Sequence, residues 1–166
     1  MRLTDVLALS HVPRWAIVPH VQPQSVADHT FRVVAIAREL AKIADIELTA
    51  NDLWYMLNHD AAESRSGDAN RQFKHMIDDK AWRDAEEGMC PWLVQEPIVT
   101  TKVENLLKVA DAIEAMTFIQ MYGAGKHADS VARLMKREIV ATYTKLGIDV
   151  MKVEKLIVNI LREEGR

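Results

Sequence analysis

A chain of 166 residues is long enough to bury one sizeable core without disulfides or a structural metal, and most simply forms one domain. With 49% apolar residues, 27% charged residues and a formal charge of −3, it has the balance of a soluble globular protein. That balance argues against a basic nucleic-acid binder. Cys90 is its only cysteine, which excludes an intrachain disulfide and a thiolate zinc cluster.

Met1-Arg2-Leu3-Thr4-Asp5 lacks the apolar core of a signal peptide, and no run approaches the roughly 20 apolar residues of a membrane span. The chain is therefore expected to be cytoplasmic, with no membrane partner.

In chain order, nearly every long segment has helical periodicity. A short helix is expected over about Leu3–Leu9. Pro13, Pro19 and Pro23 then make residues 11–25 an irregular connection, of a length that is often functional. It carries Arg14-Trp15-Ala16-Ile17. Ser25 is a good N-cap for a helix to about Ile43, with His29 on its apolar side in the first turn.

Thr49 caps a third helix, expected over Ala50–Glu63. On it His59 and Glu63 share one face, and Asp60 lies about 100° from His59. Ser66-Gly67-Asp68-Ala69-Asn70 reads as a turn. Polar, helix-compatible segments with Lys74 and His75 run from there to Gly88, and Cys90-Pro91-Trp92 and Glu96-Pro97 mark another connection. A long helix is expected over Thr101–Tyr122, with Asp111 between Leu107 and Ala115. Helices over Ala128–Leu146 and Val150–Arg162, separated by Gly147, complete an all-α, single-domain bundle spanning residues 1–166.

His29, His59, Asp60 and Asp111 each fall at or near the apolar side of a predicted helix. A carboxylate there is costly unless paired or bound to metal. Imidazole nitrogen with carboxylate oxygen suits a divalent transition metal and leaves room for water or phosphate oxygen. Helical bundles often draw such ligands from several helices. Each residue alone has a plainer reading. His29 could be a hydrogen-bonded core histidine, the His59-Asp60 pair a solvated surface feature, Asp111 a helix-surface partner of Lys108, and Glu63 a helix end. One metal would account for all of these placements together.

The ordered set Arg14-Trp15, Asp28-His29, His59-Asp60-Ala61-Ala62-Glu63, Gly67-Asp68 with Lys74, and Lys108-Val109-Ala110-Asp111-Ala112 spans residues 14–112. It resembles the HD-domain metal-dependent phosphohydrolases. Within them it resembles the small bacterial 5′-deoxynucleotidases and, in compactness and in Arg14-Trp15-Ala16-Ile17, the phage dATP triphosphohydrolases.

The resemblance implies His29, His59, Asp60 and Asp111 as ligands of zinc, cobalt or manganese. It implies Glu63 and Asp68 as the acidic groups handling the proton, and Arg14, Lys74 and Lys108 as phosphate-holding cations. Trp15 would pack on the nucleoside, and Ile17 would abut the base and exclude a 2-amino group. Two departures from the bacterial enzymes stand out, Asp28 before the first histidine and Ala69-Asn70-Arg71-Gln72 after Gly-Asp.

The implied reaction is hydrolysis of dATP to deoxyadenosine and triphosphate. The alternatives are a 5′-deoxynucleotidase acting on dAMP and other monophosphates, and a non-catalytic nucleotide- or metal-binding module. A nucleic-acid exonuclease is disfavoured by the charge. The apolar faces of the last helices, together with the resemblance, point to a homo-oligomer, a dimer or a hexamer.

Overall fold

Polar caps set where the helices of this chain begin. In the computed structural model, which describes residues 3–70, 74, 76–92, 99–145 and 148–164, eight α-helices and no strand are found among the described residues. Helix α1 (Leu3–Ala8) tightens into a 3-10 turn over Leu9–His11. Helix α2 (Val26–Ala44) opens with a capping box. The Ser25 hydroxyl accepts from the Asp28 amide, and the Asp28 carboxylate accepts from the Ser25 amide. Thr49 and Asp52 repeat the device at α3 (Ala50–Leu57).

The short α4 (Glu63–Ser66) and the Asp78-capped α5 (Asp79–Met89) follow. Helix α6 (Thr101–Tyr122) is capped by Thr100, α7 covers Gly125–Lys145, and α8 (Val150–Glu164) has the Asp149 carboxylate on its first amides. The all-α architecture is the one the periodicity predicts. No helix among the described residues is long and apolar enough to cross a membrane.

Helix α6 is the axis. Its buried residues run round the whole circumference, from Val103 and Leu106 through Ala110, Ile113 and Glu114 to Phe118, as expected of a helix enclosed by others. It packs mainly on α7 and α2, and α8 closes the bundle against α6 and α2. Val33, Leu40, Met56, Leu106, Ile113, Ile139 and Val153 form one continuous core between them.

Three element boundaries differ from expectation. The third helix ends at Leu57 rather than Glu63. The Asn58 side-chain amide donates to the Trp54 carbonyl at 2.7 Å, and the His59 ring donates to the Met56 carbonyl at 2.8 Å. Those oxygens are thereby drawn into side-chain contacts, and the chain turns through residues 58–62 before α4. Helix α7 begins at Gly125, three residues earlier than expected, and α8 runs on to Glu164. Arg71, Gln72, His75, Glu96, Pro97, Leu146 and Gly147 lie outside the described residues.

The proline-rich connection is pinned at both ends. Arg14 donates its amide to the Gln24 carbonyl and Val26 to that of Val12, both at 2.9 Å, which closes the segment on itself. Val21 donates to the Tyr122 carbonyl and Ala124 to that of Pro19, both at 2.8 Å, which ties it to the end of α6. Gly123 makes that corner possible: a Cβ there would collide with the Ile119 carbonyl and lie 2.7 Å from the Ala128 Cβ. These bonds hold Arg14–Ile17 over the junction of α2, α4 and α6.

Candidate active site

A cavity of about 460 Å³ opens at that junction. Arg14, Trp15, Ile17, Asp60, Glu63, Asp68, Lys74 and Asp111 all line it. Behind the Asp60 and Asp111 carboxylates that line it stand two histidines. His29 comes from the first turn of α2 and is fully buried; His59 comes from the turn after α3. Their ring centroids are 5.5 Å apart.

Each imidazole is oriented by its far nitrogen. Nδ1 of His59 meets a carbonyl, which can only accept, so Nδ1 carries the proton. Nδ1 of His29 lies 2.6 Å from Oε2 of Glu114. Burial opposes the charge on Glu114, yet its bond to His29 and the charges of His29 and Arg14 hold it below the usual carboxylate range. Glu114 is therefore an acceptor, and Nδ1 of His29 also donates. Both histidines present Nε2 towards one point, and neither Nε2 has a hydrogen-bond partner.

Carboxylates crowd the same point. Oδ1 of Asp111 is 3.2 Å from Nε2 of His29, while Oδ2 of Asp60 is 3.5 Å from Nε2 of His29 and 3.3 Å from Nε2 of His59. Ligand atoms of His29, His59 and Asp111 lie within 4.8 Å of one another, an arrangement that could hold a metal ion. Burial and Arg14 oppose a positive charge on His29, but the carboxylates of Asp111, Asp60 and Glu114 around it outweigh them and raise its pKa to about 10. Burial also resists ionisation of Asp60, and the charges of His59, His29 and Arg14 reverse that.

The site thus gathers negative charge and counters it with a proton at the histidine corner. Two buried nitrogen donors without partners, beside two carboxylates held ionised, fit a divalent transition ion.

Glu63 faces this corner from the start of α4. Oε1 accepts from Nζ of Lys74 at 2.9 Å, whereas the buried Oε2 has no partner. Burial and the charge of Asp60 push its carboxyl up to about 7 against the pull of Lys74. Lys74 is held above the ordinary lysine range despite burial, chiefly by Glu63. Arg14 is nearly buried, and its Nε and Nη1 have no hydrogen-bond partner although Asp60 lies 3.9 Å from Nη1. Burial disfavours its charge, but Asp60 and Asp111 hold it protonated.

The rim is different in character. Trp15 adopts a positive φ of 65°, a strained conformation for a bulky residue. Its amide donates to Oδ2 of Asp68 at 3.3 Å and its indole Nε1 donates to Oε1 of Gln24 at 2.8 Å. Its ring runs parallel to Phe118, with centroids 6.0 Å apart, and lies under the Arg14 guanidinium. Ile17 is 54% exposed at the mouth of the cavity.

Not every expected feature holds. His59, Asp60 and Glu63 do not share one helix; the turn over residues 58–62 brings them together instead. Asp111 does not sit in the apolar seam, because its side chain is 44% exposed towards the cavity. Lys108 is exposed on α6 and does not line the cavity. Sequence reasoning also passed over Glu114, Gln24 and the wall supplied by α7, where His127, Val131, Leu134 and Met135 face the site. Glu114 left a signal, being a carboxylate set among Ala112, Ile113, Ala115 and Met116, one turn after Asp111.

Comparison with known proteins agrees with this geometry. A family model described as the HD domain matches residues 6–160. The dATP triphosphohydrolase of Cyanophage S-2L is 28% identical over 154 residues, which cover 91% of this chain and 88% of that protein. The dATP triphosphohydrolase of Salmonella phage PMBT28 is 29% identical over 139 residues, 76% of this chain and 70% of that one. Among solved structures, the Cyanophage S-2L HD phosphohydrolase (DatZ), bound to dA and one catalytic Zn2+ ion, superposes with a TM-score of 0.82 at 26% identity. The match covers 98% of this chain and 96% of that chain. A conserved hypothetical protein from Pyrococcus furiosus shares the fold, with a TM-score of 0.62 over 96% of this chain and 97% of that one, at 21% identity.

Proposed function

From the premise that this chain belongs to the HD-domain family, we propose that it is a metal-dependent phosphohydrolase that converts dATP to deoxyadenosine and triphosphate. The observation that carries this reading is one cavity with three kinds of wall. It has a nitrogen-and-carboxylate corner fit for a cation, an arginine with unpartnered guanidinium nitrogens, and an apolar stretch of wall that includes Trp15, Ile17, Leu134 and Met135. The names of the two phage relatives supply the substrate.

In this reading the whole chain acts as one domain, and His29, His59, Asp60 and Asp111 hold the cation. When bound, a divalent ion polarises phosphorus–oxygen bonds and lowers the pKa of water. Zinc is the first candidate, since the S-2L protein carries a catalytic Zn2+.

The protein's own groups do the rest. Glu63, with one free oxygen and a carboxyl near neutrality, takes the proton from the attacking water. Lys74 holds Glu63 in place through Oε1. Asp68 keeps the Trp15 backbone at the rim and lines the same cavity as Glu63; in this reading it receives the proton that Glu63 took from water and passes it to the departing 5′ oxygen. Arg14 offers Nε and Nη1 to the phosphate oxygens of the bound nucleotide. Trp15 packs on the sugar and base, and Ile17 closes over the base edge. Lys108, exposed beside the site, is left to the outer phosphates.

Purified protein would be incubated with each dNTP and dNMP and with Zn2+, Co2+ or Mn2+ in turn. Deoxyadenosine and intact triphosphate from dATP are the expected products. Turnover of monophosphates alone would replace the reading with a 5′-deoxynucleotidase. No hydrolysis of any nucleotide would reduce the site to a binding module, and cleavage of single-stranded oligonucleotides would make it a nuclease. Exposed apolar side chains on α7 and α8, such as Leu134, Met151 and Val158, go with a homo-oligomer. A monomer by light scattering at micromolar concentration would count against that.

A further inference from the structure

Between the histidine corner and the rim runs an unbroken chain of buried polar groups. The indole Nε1 of Trp15 donates to Oε1 of Gln24 at 2.8 Å, and Nε2 of Gln24 donates to Oε1 of Glu114 at 2.7 Å. Oε2 of Glu114 then accepts from Nδ1 of His29 at 2.6 Å. Gln24 is 4% exposed, and Glu114 and His29 are fully buried.

Arg32, reaching in from α2, donates Nε to Oε1 of Glu114 at 2.9 Å. Oε1 thus serves two donors while Oε2 serves His29. No side chain in this chain of contacts can turn without leaving a buried donor or acceptor unmade, which costs about 1–3 kcal/mol in each case. The amide of Gln24 is also the only bond its indole makes among the described residues, and Trp15 is held in a strained backbone conformation.

We propose that Gln24 and Glu114 are positioning residues that couple the two halves of the site, so that occupancy of His29 by a cation sets the orientation of Trp15. Glu114 fixes the tautomer and tilt of His29, leaving Nε2 for the ligand position. A cation that draws the imidazole towards itself changes the bond to Glu114, and Gln24, sharing that carboxylate, carries the change to the indole. The coupling is reciprocal: whatever packs on Trp15 alters the affinity for the cation. The proposal rests on the reading of His29 as a cation ligand given above, but not on any nucleotide being the substrate.

The test uses the cation alone. Zn2+ is titrated into the full chain while the Trp15 indole N–H is followed by NMR, assigned by its loss in Trp15→Phe. The wild-type resonance shifts on saturation. In Gln24→Met, the Trp15 resonance stays within a few hundredths of a ppm, while Zn2+ affinity changes less than threefold. Glu114→Gln, by contrast, weakens Zn2+ binding by about 10–100-fold.

An equal indole shift in Gln24→Met and wild type would overturn the coupling, as would a wild-type indole that ignores Zn2+. Wild-type affinity in Glu114→Gln would remove the positioning role of Glu114. If Gln24→Met does not fold, Gln24→Asn, one methylene too short to span both partners, serves in its place with the same expected silence. Loss of nucleotide hydrolysis from the wild type would overturn the proposed function and leave each of these outcomes readable.

Discussion

The two histidines, behind the Asp60 and Asp111 carboxylates, and the Arg14–Ile17 loop adjoin the same cavity but are built on opposite principles. At the histidine corner every orientation is determined from behind, by Glu114 for His29 and by the Met56 carbonyl for His59. Both Nε2 nitrogens, beside the Asp60 and Asp111 carboxylates, are left without a hydrogen-bond partner. On the loop, the unpartnered guanidinium nitrogens of Arg14, the positive φ of Trp15 and the exposed Ile17 leave groups waiting for something the chain does not supply. The corner is pre-organised for a small ion of fixed geometry, and the rim for a larger ligand that completes it. The proposed function puts chemistry in the first and selection in the second, so substitutions in the two regions should fail in different ways.

The largest failure is expected at His29. His29→Ala removes a proposed ligand and leaves Glu114 buried beside Arg32 without its main partner. Breaking a buried pair of this kind costs about 3–5 kcal/mol. Hydrolysis should fall to background, cation binding should vanish in an isothermal titration, and the unfolding midpoint should drop. A variant that keeps wild-type stability would show that the Glu114 network does not depend on the imidazole.

Glu63→Gln comes next and separates proton transfer from cation binding. Loss of a general base is worth about 10²–10⁴-fold in kcat, whereas Co2+ affinity should stay near wild type, because Glu63 is not among the ligand atoms that converge. The same variant has a pH signature in cation-free protein. Burial and then Asp60 raise the carboxyl of Glu63 from 4.5 to about 7, so the folded chain binds the proton more tightly than the unfolded one. Its contribution to stability is therefore full below about pH 4.5 and is lost as pH rises through about 7. Chelator-treated Glu63→Gln should unfold at a higher temperature than wild type at pH 8 and at a similar one at pH 4.5. A constant difference across that range would deny the raised carboxyl.

The contrast between corner and rim also explains what the sequence made legible. Ser25, Thr49 and the run Thr101–Tyr122 announced their helices because caps and 3.6-residue periodicity are local properties. His29, His59, Asp60, Asp111, Glu63, Asp68 and Lys74 stood out as residue types in an order that resembles a family, and the fold brings them to one place. The turn at residues 58–62 was not legible. It depends on Asn58 and His59 side chains capturing backbone carbonyls, against a sequence that would otherwise continue as helix.

Gln24 was invisible for a related reason: nothing in Pro23-Gln24-Ser25 signals that its amide bridges residues 9 and 90 positions away. Lys108 was named only through its place in the motif; it is exposed on α6 and is not among the residues lining the cavity.

On the rim, Arg14 should matter more than its neighbours. Arg14→Lys keeps a charge but replaces a fork of donors by a single point, and it abandons the contact with the Trp15 ring. A hydrogen bond to a charged group contributes about 1.5–3 kcal/mol, so KM for dATP should rise by roughly 10–100-fold. Cation affinity should be unchanged. If kcat falls instead and KM does not move, Arg14 serves the transition state only, and the division between corner and rim is less clean than drawn.

Ile17 carries the smallest and most specific effect. It lines the mouth of the cavity with over half its surface exposed, so trimming it removes little from the core and should leave stability within about 0.5 kcal/mol of wild type. Its proposed work is steric: the aliphatic side chain occupies the space that a 2-amino group on the base would need. Hydrophobic pockets discriminate groups of that size by about 1–3 kcal/mol. Ile17→Ala should therefore leave dATP turnover within a few-fold of wild type and raise kcat/KM for dGTP by about 10-fold or more. The ratio of the two substrates, measured in one competition reaction, is the useful quantity, since it cancels any change in active fraction. An unchanged ratio would move base selection away from Ile17 and onto the opposite wall of the cavity, where Leu134 and Met135 of α7 stand.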